Sequence, residues 1–108
     1  MNILVVYCHP RADSFTAAVC DAAIESLAAA GHAVVLLDLY AEGFDPVMSA
    51  EERGGYHTPG ANRLPVADHL ARLKAAEGLI FVYPTWWYAQ PAMLKGWLER
   101  VWLPGVTF

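Results

Sequence analysis

Three short runs of consecutive apolar residues alternate along this chain with longer stretches in which apolar residues recur every three or four positions. The runs cover residues 2–7, 32–39 and 79–83. Continuous apolar runs rich in β-branched residues are typical of strands covered on both faces, as in a parallel sheet. The pattern therefore predicts three buried strands.

The stretches between these runs carry helix start and stop signals. Asp13 or Ser14 suits the N-cap of a first helix, and Gly31 suits its end. A second helix would begin at Pro65 and stop at Gly78, and a last one would begin at residue 91. The first helix is predicted to have an apolar face of Phe15, Val19, Ala22, Ala23 and Ala30, and the last one of Met93, Leu94, Trp97, Leu98, Val101 and Trp102.

Alternation of strands and helices predicts an α/β fold with a doubly wound parallel sheet. Right-handed crossovers, with the reversal after the second strand, give the strand order 2-1-3. The least regular part is residues 40–64, with a short capping-box turn at residues 49–52. A connection of this length in a compact domain is often functional.

In the order 2-1-3, the carboxyl ends of strands 1 and 3 are neighbours. The loop of residues 8–16 and the loop of residues 84–90 must then face each other across one crevice. The first loop supplies His9, Arg11, Ser14 and Thr16 beside the N-terminus of a helix, where unpaired N–H groups and the helix dipole favour an anion. It lacks the glycines of the dinucleotide and P-loop motifs, so a terminal phosphate or a pyrophosphate fits it best.

The second loop carries the aromatic residues Trp86, Trp87 and Tyr88 on a strand-to-helix turn. Flat apolar rings and unpaired backbone N–H groups suit a planar heteroaromatic ring. A phosphate at one loop and such a ring at the other describe a flavin nucleotide.

Composition narrows the remaining function classes. The chain has 7 Lys and Arg against 11 Asp and Glu, a net charge of −4, so it offers no basic surface for nucleic acid. No apolar run reaches the roughly 18 residues of a membrane span, which predicts a cytoplasmic protein without stable membrane insertion. Cys8 and Cys20 have no metal-site spacing and are expected to be buried thiols, with no metal site predicted.

Three motifs together resemble a known family: HPRADSFT after strand 1, DLYAEGFDPVMSAEER after strand 2, and VYPTWWYAQPAMLKGWLERVW at strand 3. They are similar to the flavodoxin-like NAD(P)H:quinone oxidoreductases, the DT-diaphorase and bacterial modulator-of-drug-activity group. The third motif is the most specific, because its aromatic pair between two prolines followed by LKGWLERV is an unusual combination. The resemblance covers nearly the whole chain and implies a flavodoxin-like fold.

The resemblance also implies a cofactor, a reaction and a site. A bound FAD or FMN would accept a hydride from NADH or NADPH and pass two electrons to a quinone in a ping-pong cycle, within a homodimer. The flavin phosphate region would lie at His9, Ser14, Phe15 and Thr16. The flavin ring would lie along Pro84, Thr85, Trp86, Trp87 and Tyr88.

Members of this family are about twice as long, a typical size for the fold. The resemblance implies that residues 1–108 form the N-terminal part of such a domain, without strands 4 and 5. The family's later substrate-site residues would lie beyond Phe108, so no catalytic residue is assigned. The alternative function is a non-catalytic flavodoxin-like module, either an electron carrier or an accessory subunit. Electron carriers usually have a hydroxyl-rich T-G-N-T loop after strand 1, so HPRADSFT favours the reductase.

Plainer roles compete with these assignments. His9 could be a solvated loop residue, Ser14 only an N-cap, and Trp86 could point into the core. Trp97 and Trp102 lie at helical spacing and are expected to pack in the core or at a subunit interface. Asp45, Pro46 and Glu51 are expected to shape the long connection.

Overall fold

The computed structural model describes all of residues 1–108, which form three strands, four α-helices and one 3₁₀ helix. The strands are β1, Asn2–Tyr7; β2, Ala33–Asp38; and β3, Gly78–Val82. The α-helices are α1, Phe15–Ala29; α2, Ala50–Gly54; α3, Ala67–Ala75; and α4, Ala92–Val101. The 3₁₀ helix spans Ala61–Val66 and leads directly into α3. None of the helices is long and apolar enough to cross a membrane.

The three strands form one parallel sheet in the order β2-β1-β3, as predicted. Tyr7 at the end of β1 pairs with Asp38 on one side and with Val82 on the other. The carboxyl ends of all three strands therefore lie at one edge of the sheet. The loops that follow β1 and β3 leave the sheet side by side there.

Each face of the sheet has its own core. On one face Ile3, Val5 and Tyr7 of β1 pack with Cys20 of α1. On the other face β1 and β2 pack with α3 and α4, and this larger core contains Leu4, Val6, Cys8, Leu37, Leu39, Leu70, Leu94, Trp97 and Val101. Both cysteines are buried and unbonded, as the sequence predicted.

Trp97 stands at the centre of the larger core and is fully buried. Its ring meets Phe81 of β3 edge to face, with the ring centroids 5.9 Å apart. Its indole N–H donates to Nδ1 of His69 on α3, at 3.1 Å, so the one polar atom of this side chain is paired. The core role predicted for Trp97 is therefore confirmed.

Several boundaries and faces differ from the predictions. Gly78 does not end a helix but begins β3, where a Cβ would lie 2.6 Å from Cδ1 of Ile3. Pro65 lies inside the 3₁₀ helix and does not open α3. Strand β2 is an edge strand, so Val35 and Leu36 are exposed instead of covered on both faces.

The apolar face predicted for α1 is also partly wrong. Phe15, Val19, Ala22 and Ala30 are exposed, whereas the buried face of α1 is centred on Cys20. Small alanines all around the helix leave no clear hydrophobic stripe, so the period alone did not identify the buried side. The apolar face predicted for α4 is correct at Leu94, Trp97 and Val101, which are buried. Trp102 lies just past the end of the helix and is partly exposed.

The connection of residues 40–66 is held against α4. Pro46 lies so close to Gly96 that a Cβ at position 96 would collide with it. Arg100 of α4 donates to both carboxylate oxygens of Glu52, at 3.1 and 2.9 Å, and to the carbonyl oxygen of Asp45 at 2.6 Å. This long connection is therefore a packed part of the fold. The Ser49 hydroxyl caps α2, but Glu52 binds Arg100 and so does not close the predicted capping box.

Candidate functional site

The loop after β1 and the loop after β3 meet at the carboxyl edge of the sheet. His9 of the first loop lies edge-on to Trp86 of the second, with ring centroids 5.6 Å apart and an interplanar angle of 66°. This contact confirms the crevice that the strand order predicted. It also shows that Trp86 points at the first loop and not into the core.

His9 is oriented by its own loop. The backbone N–H of Arg11 donates to Nδ1 of His9 at 3.0 Å. A neutral imidazole that accepts at Nδ1 carries its proton on Nε2, so the ring is set to donate from that nitrogen. The half-buried His9 therefore presents a hydrogen-bond donor of fixed orientation near the crevice.

Arg11 is paired with an acidic residue of its own loop. Its Nε and Nη2 both bind the Asp13 carboxylate at 2.9 Å, and both side chains are exposed. This hydrogen-bonded pairing raises the pKa of Arg11 and lowers that of Asp13. The positive charge that the sequence offered to a phosphate is thus neutralised within the loop.

The N-terminus of α1 supplies further donors. Ser14 is the N-cap, as predicted, and its hydroxyl accepts from the backbone N–H of Ala17 at 3.0 Å. The N–H groups of Phe15 and Thr16 in the same turn have no acceptor in the structure. Unpaired donors at the positive end of a helix dipole favour a bound anion. No acidic side chain lies in this first turn to compete with one.

The aromatic loop is a tight turn with an unusual backbone. Trp86 and Ala89 exchange two backbone hydrogen bonds, of 3.0 and 3.2 Å. Between them Trp87 and Tyr88 have φ angles of +52° and +64°. The left-handed region is unfavourable for residues with a Cβ, and glycine or asparagine usually occupies such turns. Two large rings in succession at these positions are a local strain of the kind that accumulates at functional sites.

The strained turn projects its rings into solvent. Trp87 is 91% exposed and Tyr88 is 97% exposed, whereas Trp86 is 43% exposed. The backbone N–H groups of Trp87 and Tyr88 have no acceptor, but that of Trp86 is bonded to Ala89, so the prediction of free N–H groups is wrong at Trp86. The turn therefore offers two free donors and two uncovered ring faces.

The remaining predicted residues lie around this crevice. Thr16 is half-buried in the first turn of α1, and Phe15 next to it is 84% exposed. Pro84 is half-buried where the chain leaves β3, and Thr85 is exposed. The structure thus places the nine predicted residues on the two loops and the helix end at one edge of the sheet.

The segment after α4 runs to Phe108, and the family's substrate-site residues are predicted to lie beyond that residue. Phe108 is exposed, its carbonyl oxygen accepts from the backbone N–H of Gly105 at 2.9 Å, and it lines a shallow depression with Trp102 and Tyr56. None of these residues belongs to the crevice of the two loops. No residue of this chain is therefore assigned a catalytic role, and the substrate-site residues beyond Phe108 stay a prediction.

Two further clusters of polar side chains lie elsewhere. Glu42, Asp68 and His69 come within 4.8 Å of one another, but both carboxylates bind Arg72, and His69 accepts from Trp97. A second group follows β2, where Asp38 and Tyr40 line a cavity beside the His9 loop. The sequence pattern did not predict this cavity, although the polar residue Asp38 at the end of a strand was a usable signal.

Known proteins with similar sequences share the features of this fold. The family described as having a flavodoxin-like fold matches residues 1–108. The chain is 37% identical to the uncharacterized NAD(P)H oxidoreductase YcaK of Escherichia coli over 108 residues, which is 99% of this chain and 55% of that protein. It is 36% identical to NAD(P)H dehydrogenase [quinone] 1 of Rattus norvegicus, with 97% of this chain and 44% of that protein covered.

Solved structures agree. The NAD(P)H:quinone oxidoreductase from Methanothermobacter marburgensis superposes with a TM-score of 0.89 at 34% identity, covering 100% of this chain and 55% of that chain. The chain therefore spans about half the length of the relatives it matches. Fold, strand order and sequence similarity agree that this chain belongs to the flavodoxin-like NAD(P)H:quinone oxidoreductase family.

Proposed function

We propose that this chain forms the flavin-binding half of an NAD(P)H oxidoreductase that delivers two electrons to a quinone or a similar acceptor. The observation that supports this most strongly is the pairing of two loops at one crevice. One loop ends in the donor-rich N-terminus of α1, and the other exposes the rings of Trp87 and Tyr88. A phosphate and a planar ring joined in one molecule would use both loops at once.

The phosphate region would bind at the first loop. The free N–H groups of Phe15 and Thr16 and the Nε2–H of His9 are the donors for it. Ser14 would hold this turn in place through its bond to Ala17, and its hydroxyl keeps further bonding capacity. Because the Arg11 guanidinium is paired with Asp13, we infer that neutral donors carry the recognition of the phosphate.

The flavin ring would bind at the second loop. Trp87 and Tyr88 offer two free N–H donors together with uncovered aromatic surface. These donors match the carbonyl and ring-nitrogen acceptors of a flavin, and stacking adds about 0.5–1.5 kcal/mol per ring pair beyond burial. Pro84 and Thr85 would complete the wall where the chain leaves β3. The residues present therefore fit FAD or FMN.

When bound, the flavin would supply the hydride and electron-transfer chemistry between NADH or NADPH and the acceptor. The protein's part is to hold the ring, orient its edge and polarise it with backbone donors. The free backbone N–H groups of Trp87 and Tyr88 would hold the ring and polarise it through hydrogen bonds. The residues of this chain thus account for cofactor binding, and the acceptor is proposed to bind against the same exposed rings. We further propose that the working form is a homodimer.

Flavin binding by the 108-residue chain tests the proposal. We expect the purified protein to quench the fluorescence of added FMN or FAD and to oxidise NADH or NADPH with menadione as acceptor. Protein that neither retains nor takes up either flavin would refute the cofactor assignment. Oxidation of NAD(P)H with menadione by flavin-loaded protein would exclude the non-catalytic alternative.

A pair of tryptophan variants sharpens the test. Trp87→Ala should weaken flavin binding by about tenfold, because it removes one stacked ring worth roughly 1.4 kcal/mol. Trp102→Ala is the matched control, since Trp102 is also partly exposed but lies at the far end of α4. Equal losses in the two variants would show that the ring-binding turn has been wrongly assigned.

A further inference from the structure

The cavity lined by Asp38 and Tyr40 lies on the opposite side of β1 from the aromatic turn. It has a volume of about 540 Å³ and lies between the His9 loop, α1 and the end of β2. Volumes of 300–1,000 Å³ are typical of pockets for small molecules. Because β1 separates β2 from β3, the cavity and the Trp87 turn are on different sides of the central strand. The cavity is therefore separate from the proposed flavin ring site, and His9 is the one residue that it shares with the proposed phosphate region.

The polar groups of this cavity are dominated by two carboxylates. Asp21 projects from α1 and Asp38 ends β2, and neither takes part in an ion pair. Asp38 accepts one hydrogen bond through Oδ1, from the backbone N–H of Ala41 at 3.0 Å, and Asp21 accepts none. The guanidinium of Arg11, in the adjoining loop, is bonded to Asp13. Two negative charges are thus left without a cation.

The floor of the cavity is apolar and aromatic. Leu36 faces α1 from the edge strand but is not covered by it, and it is 43% exposed. Tyr7 is buried and lines the cavity, and the ring of Tyr40 forms a side wall. Burial raises the pKa of both tyrosines, and Asp38 raises that of Tyr7 further although Ser14 opposes the shift. The only carboxylates that line the cavity, Asp21 and Asp38, are unpaired, and its floor suits an apolar group.

We propose that this cavity binds a small organic ammonium ion, in which a protonated amine is attached to a compact apolar group. The amine would donate to Asp21 and Asp38, and the apolar group would cover Leu36 and the face of Tyr40. Tyrosine rings attract cations at their faces, which reinforces the preference for positive charge. A neutral ligand of the same shape leaves both carboxylates uncompensated, and an anion is repelled by them.

The test compares a cation with its neutral analogue. 2-Phenylethylamine, which is protonated at neutral pH, is titrated into the purified chain, and binding is followed by amide NMR shifts and by calorimetry. We expect saturable shifts at residues lining the cavity, and binding about tenfold tighter than that of 2-phenylethanol. Added salt should weaken binding of the amine and leave binding of the alcohol unchanged. Equal binding of the two probes, or no saturable shifts at the cavity, would overturn the proposal.

Conservative variants identify the groups responsible. Asp21→Asn and Asp38→Asn should each weaken binding of the amine by about tenfold, and asparagine at position 38 retains the acceptor for Ala41. Glu25→Gln is the matched control, since Glu25 lies one turn further along α1 and does not line the cavity. Unchanged binding in both asparagine variants would refute the assignment. Trp87→Ala should leave amine binding intact, so this inference can fail or succeed independently of the flavin proposal.

Discussion

Protonation of His69 should loosen the main core, because His69 is the acceptor for the buried indole N–H of Trp97. Burial is the main reason that the pKa of His69 lies below its usual 6.5, and the positive charges of Arg72 and Arg100 lower it further. Glu42 and Asp68 act in the opposite direction but do not reverse the shift. A protonated ring would place an N–H at Nδ1 opposite the Trp97 N–H. Two donors would then face each other inside the core.

The sign of the pH dependence follows from linkage. The unfolded chain takes up the proton near pH 6.5, whereas the folded chain resists until the pH falls below the lowered pKa of His69. The stabilisation from neutral His69 is therefore complete above pH 6.5 and is lost as the pH falls toward and through the folded-state pKa. Loss of the hydrogen bond and burial of an unpaired donor should cost about 1–2 kcal/mol.

Two substitutions at this position separate the hydrogen bond from the titration. His69→Leu removes the acceptor at every pH and should destabilise the chain by about 1–3 kcal/mol, which corresponds to roughly 4 °C in Tm per kcal/mol. His69→Gln keeps an oxygen acceptor that does not titrate. It should be the more stable of the two variants, and its stability should fall less than that of the wild type between about pH 8 and about pH 5.

Urea unfolding followed by tryptophan fluorescence measures these differences. His57→Gln is the control, because His57 is exposed and its side chain makes no hydrogen bond to the core; its ring is 5.0 Å from that of Tyr56. The control keeps the Trp97–His69 hydrogen bond, so its stability should match that of the wild type. If His69→Gln and His69→Leu were equally stable, or if His69→Gln kept the full pH dependence, the Trp97 hydrogen bond would not be the source of the effect.

Three further predictions concern charge, strain and reactivity. Glu52→Gln should lower the free energy of unfolding in urea by about 3 kcal/mol, because the side chains of the Arg100–Glu52 pair are only 13% and 11% exposed. Glu99→Gln, in the exposed pair with Lys95, should lower it by less than about 0.5 kcal/mol. Similar losses in the two variants would contradict the role of burial. Trp87→Gly should raise the free energy of unfolding by about 1 kcal/mol, because glycine adopts a positive φ without a steric cost, and it should weaken flavin binding. A less stable variant would show that the backbone of Trp87 is not strained. Burial raises the pKa of Cys8 to about 11. At pH 8 iodoacetamide should therefore label this thiol no faster than the protein unfolds. Rapid labelling of the native protein would show that the thiol is accessible.

The strand order was predictable from the sequence because each of its determinants is local. The apolar runs identify the strands, and a crossover of helical length fixes their parallel direction. The runs at residues 2–7 and 32–39 are similarly apolar, so the central place of β1 followed from the reversal of the chain after β2. Gly31 follows α1 with a φ of +89°, as expected of a glycine that ends a helix. The same glycine signal gave a wrong prediction at Gly78. This residue leaves room for the side chain of Ile3 and does not end a helix.

The details of the site depended on contacts between side chains. Arg11 pairs with Asp13. Glu52 binds Arg100 and does not close its capping box. Both outcomes depend on side-chain geometry, which the spacing of residues along the sequence does not determine. Leu36 is likewise exposed because α1 does not extend over this part of the sheet. Sequence patterns locate loops at the crevice, and the packed structure decides which of their groups remain free.

The backbone of the aromatic turn connects the fold to the proposed function. Left-handed conformations cost roughly 1–2 kcal/mol for each residue with a Cβ, so Trp87 and Tyr88 together oppose folding by about 2–4 kcal/mol. Glycine or asparagine at both positions would form the same turn without this cost. The structure nevertheless holds the turn through the paired Trp86 and Ala89 and through β3, which is anchored in both cores. The large rings of Trp87 and Tyr88 contribute nothing to the packing of this chain, because they are 91% and 97% exposed. Their retention in a strained turn supports the proposal that they bind the flavin ring.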